Sequence, residues 1–250
     1  MNVMKIVSLA ILLGFKYSHV YSQNLVSNPG FEIYETCPEN YTISYQKTLL
    51  PGWYIPTRGT PDYFNSCTKI QVGVPQNFMG KCMPKDGKAY AGIIVLLDPS
   101  PKRDKKSQID YREYLQTRFT EPLTKNKMYD VQFYFAVAPY STFSINRLGV
   151  YLSEKKISKR RSTKILHYRP QVSCDSSSIF EETAQWVSVS GTFRAKGGEQ
   201  YMTIGNFYDD LNTTYKPMNL EGMGTILQAR IHSDQIAYFY IDNVSVVPRP

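Results

Sequence analysis

The stretch MYDVQFYFAVA, residues 128–138, alternates with a period of two. Met128, Asp130, Gln132 and Tyr134 fall on one side; Tyr129, Val131, Phe133, Phe135 and Val137 fall on the other. Side chains of an extended chain point alternately to opposite faces, so this pattern describes a strand buried on one face and wet on the other. Similar signals recur along the chain. AYAGIIVLL (89–97) is a short run of buried-strand type, and YREYLQTRF (111–119) alternates. RLGVYLS, WVSVSGTFRA, QYMTIGNFY and IAYFYIDNVSV follow, each bounded by turn residues. Twenty tyrosines suit pleated surfaces better than helices. Residues 179–185 are the only helix candidate, and a short one. Strands at regular spacing without helical crossovers predict an all-β, antiparallel jelly-roll β-sandwich.

Residues 1–22 read as a signal peptide. Lys5 precedes the apolar run from Ile6 to Phe15, and Ser22 supplies a small residue near the cleavage region. A run of about ten residues is too short to span a bilayer. Residues 23–250 then form one β-sandwich domain, with no internal repeat and no dividing linker. No later stretch is apolar for about 18 residues, so no transmembrane segment is expected. The net charge of +8 comes from 29 basic and 21 acidic residues. Its excess lies mainly in SPKRDKKSQ (100–108) and SEKKISKRRSTK (153–164). Neither run interleaves aromatics with its charges, as a nucleic-acid surface would. They read as solvated loops or as contacts to an acidic surface, and no nucleic-acid partner is expected.

The four cysteines, Cys37, Cys67, Cys82 and Cys174, fit no zinc spacing. In an exported chain they are disulfide candidates. Cys37–Cys67 is favoured because both lie in loop-like sequence near the N-terminus. Cys82 and Cys174 then either pair with each other or stay free.

Catalytic chemistry finds little footing. Asp209 and Asp210 are adjacent, so on a strand they would point to opposite faces and could not flank a glycosidic bond. In a loop they suit a side-chain-capped turn or an ion ligand. Apart from His19 in the signal, only His167 and His232 are present, and no nucleophile motif accompanies them. The chain reads as a non-enzyme. A sugar site instead needs aromatic platforms with a few polar groups, since sugar rings present apolar faces edged by hydroxyls. GWYIPTRGTPDYFNSC offers Trp53, Tyr54 and Tyr63 beside Asp62 and Asn65, and Tyr140 and Tyr208 lie at further loop or strand ends. The competing reading of each aromatic is a structural plug.

Two stretches at the ends, NLVSNPGFEIYETCP and YFYIDNVSV, resemble the ends of the galactose-binding-like jelly roll shared by many carbohydrate-binding modules. That resemblance implies that the first and last strands lie near each other. It also implies a structural calcium held by Glu32 and Asp242, with the Gly30 and Asp242 carbonyls and the loop around Lys85 and Asp86 as further ligands; such oxygens suit calcium. The interior motifs LLPGWYIPTRGTPDYFNSC, VGVPQNFMG, DGKAYAGI and GGEQYMTIGNFYDD resemble a secreted Bacteroidetes domain that commonly precedes an OmpA-type module. This implies the cell envelope or surface, periplasmic, outer-membrane associated or extracellular. Because the OmpA-type part does not follow here, the first expectation is an accessory subunit docking on an outer-membrane or secretion-associated protein complex. The alternative is a secreted module that binds polysaccharide through loop aromatics, and the third is a structural or adhesive surface protein. A docking subunit should show a broad apolar patch. A glycan binder should show an aromatic strip or an aromatic-walled pocket.

Overall fold

A computed structural model describes residues 23–40, 50–99, 109–220 and 235–249. The predicted signal peptide, the basic run 100–108 and His232 lie outside the described residues. Among those residues the strands are, in chain order, β1 (Trp53–Tyr54), β2 (Asp62–Asn65), β3 (Gln76–Asn77), β4 (Gly80–Lys81), β5 (Ala89–Leu97), β6 (Leu115–Arg118) and β7 (Met128–Val137). They continue with β8 (Phe143–Ile145), β9 (Gly149–Ser153), β10 (Val172–Ser173), β11 (Val187–Arg194), β12 (Tyr201–Gly205), β13 (Tyr215–Pro217) and β14 (Ile236–Pro248).

Two five-stranded antiparallel sheets face each other, ordered β11-β7-β14-β5-β2 and β1-β6-β12-β9-β10. The result is the expected jelly-roll β-sandwich. The alternation in β7 is used as the sequence predicts: Tyr129, Val131, Phe133, Phe135 and Val137 enter the core between the sheets. There Phe135 stacks on Phe239 of β14, with centroids 5.3 Å apart. Ile93 and Val95 of β5 join from the same sheet, and Leu115, Val150, Leu152, Met202 and Ile204 come from the other.

The first sheet is also buried over part of its outer face. Phe64, Tyr90, Tyr238 and Tyr240 form an aromatic cluster beneath Val72, Val74 and Met79. Burial on both sides explains why β5 reads as a nearly continuous apolar run rather than an alternating one. Asp242 follows Tyr238 and Tyr240 on this outer side. A bulge between Asp242 and Ser245, with Asn243 at φ 48°, then resets the alternation. Val244 and Val246 therefore return to the core.

The two ends of the domain are joined, as the resemblance implies. Leu25 N donates to Val246 O at 2.9 Å, and the Asn24 amide brackets Val244 and Val246. Cys37 and Cys67 form the favoured disulfide. Cys82 and Cys174 are free thiols, so the elimination pairing does not form. They lie apart, Cys82 in the outer aromatic cluster and Cys174 against the inter-sheet core.

Residues 179–185 do not form a helix. Phe180 packs edge-on to Phe135, Trp186 packs on Tyr90, and Thr183 bridges to Val137, which holds the segment extended along β7. The alternating stretch 111–119 is a strand only over β6. At its start, Arg112 and Glu113 are taken into buried polar contacts.

Candidate functional site

The predicted aromatic loop is largely interior. Trp53 is 3% exposed, its indole N–H donates to Asn28 O at 2.8 Å, and its ring lies 4.6 Å from Phe31. Tyr63 is buried in the core and donates to Phe31 O. Asn65 donates to the Tyr63 hydroxyl and caps the Cys67 N–H. Asp62 is buried and accepts from the Tyr238 hydroxyl at 2.5 Å. A Cβ at Gly92 would overlap that hydroxyl, so this contact needs the glycine. Residues 62–65 are buried because they form strand β2, which pairs with β5 in a double-covered sheet, and Trp53 on β1 faces the core between the sheets. Trp53, Asp62, Tyr63 and Asn65 thus hold the fold together and offer no contact surface.

Tyr54, Tyr140 and Tyr208 remain half-exposed. Tyr140 leans on the outer aromatic cluster. Tyr208 lies under the Arg147 guanidinium, 4.4 Å from its ring. Its neighbours Asp209 and Asp210 are not a catalytic pair. Asp209 accepts from the Asn212 backbone and side chain, the capped turn that their spacing suggests, and Asp210 is paired with the buried Arg112 at 2.9 Å.

The residues named for calcium do converge. Gly30, Glu32 and Asp86 line one cleft of about 300 Å³, and Asp242 stands behind Gly30. Glu32 Oε1 accepts from Lys88 N and Ala89 N, an approach open only because Gly87 carries no Cβ. Asp242 accepts from the Lys85, Asp86 and Asn243 N–H groups. Burial nevertheless pushes its carboxyl up to about 7, and Glu32 adds to this. A carboxylate has about four acceptor sites. Those that Glu32 and Asp242 do not spend on amides fit a cation. Among the described residues, no three His, Cys, Asp or Glu are grouped to hold a metal. Carbonyl oxygens such as that of Gly30 would have to supply much of the shell.

On the outer face of the second sheet, the register sets Tyr54, Gln116, Thr203 and Tyr151 side by side across β1, β6, β12 and β9. Tyr201 and Arg118 form the next row, with the guanidinium 6.0 Å from the ring. Tyr168 stacks on Tyr151 with centroids 4.5 Å apart. All four tyrosines are half-exposed. Between them, Gln116 Nε2 donates to Thr203 Oγ1 at 2.9 Å, while Gln116 Oε1 is buried without a partner. Turning the amide over would only move the unsatisfied end from oxygen to nitrogen. The sequence signal for this face was the alternation around Gln116. What it lacked was the long-range register that makes a row out of four separate strands.

No known family profile matches the chain, and no curated protein matches it. Among solved structures, it is similar to the N-terminal CBM22-1–CBM22-2 tandem of Paenibacillus barcinonensis Xyn10C, at 8% identity and TM-score 0.43. That match covers 83% of this chain and 49% of the other, so the chain spans about half the length of the tandem. It is also similar to the K1 cleaved adhesin domain of Lys-gingipain from Porphyromonas gingivalis W83, at 11% identity and TM-score 0.36, covering 80% and 92%. A third structure is TmCBM61 in complex with β-1,4-galactotriose, at 11% identity and TM-score 0.35, covering 91% and 100%. Likeness at these scores carries no argument about ligand or partner.

Proposed function

We propose that the protein is an exported, non-catalytic glycan-binding module that uses the outer face of the β1-β6-β12-β9-β10 sheet. The observation that carries this reading is the row Tyr54–Gln116–Thr203–Tyr151, with Tyr168 and Tyr201 beside it. Half-exposed tyrosines offer flat apolar surface to a sugar ring and phenol hydroxyls to its edge, while the buried Gln116–Thr203 pair between Tyr54 and Tyr151 holds the strands beneath them in register. The Cys37–Cys67 disulfide supports an oxidising compartment. Among the described residues, no helix is long and apolar enough to cross a membrane.

Docking on an outer-membrane complex is less well supported. It calls for a continuous apolar patch. The exposed large apolar residues described are Ile33, Tyr34, Ile70, Met83, Ile109, Leu211 and Tyr215, spread over several segments. Non-catalytic action fits the fate of the acidic groups. Glu113 is buried under four donors from Thr60, Tyr111 and Ile94, Asp62 is locked to Tyr238, and Asp210 to Arg112.

The test is a glycan array followed by calorimetry with Tyr54→Ala and Tyr151→Ala. Loss of one platform should weaken binding by about tenfold, on the order of 1 kcal/mol, with each variant confirmed folded by its thermal melt. Wild-type affinity in both variants would remove this face from the site. A structural calcium at Glu32 and Asp242 is proposed alongside it, tying the N-terminal loop to β14. It supplies charge neutralisation between the two carboxylates, and a chelator should lower the melting temperature. An unchanged midpoint would remove those residues as ligands.

A further inference from the structure

Building on the glycan-binding reading above, we propose that the ligand of this face is an acidic polysaccharide, bearing uronate carboxylates or sulfate esters. The segment 154–169 crosses the same face as a basic strap. It carries seven lysines and arginines against one acidic residue, Glu154. Its basic residues are all exposed, and none takes part in an ion pair among the described residues.

The strap is fixed in place rather than loosely solvated. Lys159 N donates to Pro56 O at 2.6 Å, and Arg58 N to Ser162 O at 2.8 Å. Arg112 N donates to Thr163 O, and Leu166 N to the Tyr114 hydroxyl. Ile157 and Leu166 are buried against Tyr114 and Phe207. The apolar side chains of the strap thus hold it to the sheet, and its charges face outward beside the tyrosines.

Lys156 makes the link to the site. Its ammonium lies 3.5 Å from the centroid of the Tyr54 ring. It occupies the platform that a sugar would use, and Gln116 is the cross-strand neighbour of that platform. A neutral sugar would have to displace a cation and offer nothing in return. A sugar carrying an anionic group on its edge can lay its apolar face on Tyr54 and pair the displaced ammonium. Burial, and then the neighbouring Arg160, hold the Lys156 ammonium below its ordinary value, a penalty that an incoming anion would relieve. Charges alone would equally suit nucleic acid or an anionic membrane. The half-exposed tyrosine rings beside the charges and the disulfide favour a glycan outside the cytoplasm, and the strap's large apolar side chains Ile157, Ile165 and Leu166 are buried rather than presented to a bilayer.

The experiment measures binding of the full chain to polygalacturonate and chondroitin sulfate, with xylan and galactan as neutral probes. Single-stranded DNA and phosphatidylglycerol vesicles serve as other polyanions. Variants are Tyr54→Ala, Lys156→Gln, and the combined Lys156→Gln, Lys159→Gln, Arg160→Gln and Arg161→Gln, each checked by thermal melt. The acidic polymers should bind best. The combined variant should lose about tenfold, since each exposed contact is worth only a fraction of a kcal/mol. Affinity should also fall as salt rises from about 0.05 M to about 0.5 M, which shortens the screening length. Equal binding of neutral polymers, or an unaffected combined variant, would overturn the acidic preference and leave the glycan reading standing. Binding of no glycan of either class would overturn both. Equal affinity for DNA or vesicles, or full binding by Tyr54→Ala, would replace the proposal with general polyanion attraction.

Discussion

Asp62 and Glu113 are buried carboxyls whose titration is tied to folding. Burial raises Asp62 well above the ordinary carboxylate range, Glu113 adds to this, and the Tyr238 hydrogen bond opposes it. Burial raises Glu113 too, against its hydrogen-bond donors. In the unfolded chain both return to ordinary values of about 4. The folded state therefore keeps protons that the unfolded state releases. The stability from this source is fully present below about pH 4 and is lost as pH rises through the folded values. The melting temperature should fall as pH is raised across that window, and Asp62→Asn should flatten the slope; an unchanged slope would assign the titration to other groups. Arg112 is a different case: no part of its side chain is exposed, and its guanidinium holds Asp210, Tyr208 O and Tyr111 O. Arg112→Ala would strand Asp210 beside an unfilled space, and urea denaturation should show a loss of about 3–5 kcal/mol. Neither role was legible in the sequence. Asp62 sits among Pro, Gly and Thr and looks like a loop residue, and Arg112 looks like a wet position on an alternating strand.

At the level of elements, legibility followed the kind of information involved. β5 and β7 emerge with bounds close to those read from their apolar patterns, because the strand period is a local property. β2 did not, because its four residues, Asp62–Asn65, are too few to display a period. The row on the second sheet depends on pairing residue 54 with 116, 116 with 203, and 203 with 151. No window of sequence contains that. The Cys37–Cys67 bond ties the N-terminal loop to the end of β2 across 30 residues. Reducing it should cost about 3.6 kcal/mol, estimated from the loop it closes. Non-reducing peptide mapping should recover that linkage together with two free thiols. Cys82 should be alkylated slowly in the native state, since burial pushes its thiol up to about 12. Rapid labelling of Cys82 would mean that the cover formed by residues 72–79 opens readily.

Taken whole, the sandwich has two unlike outer faces. One is partly sealed by its own chain around Tyr90, Tyr238 and Tyr240; the other carries the tyrosine row and the basic strap. The resemblance at the two ends implied that those ends would meet, and they do. Their meeting has a topological consequence. With Leu25 bonded to Val246, the backbone from one to the other is almost a closed ring. Which residue comes first is then a detail of where that ring is cut. A short linker from Arg249 back to Asn24, with new ends opened at the exposed turn of Lys125 and Asn126, keeps every strand pairing intact. A molecule rewired in this way would present the same tyrosine face, with its points of attachment moved to the Lys125–Asn126 turn.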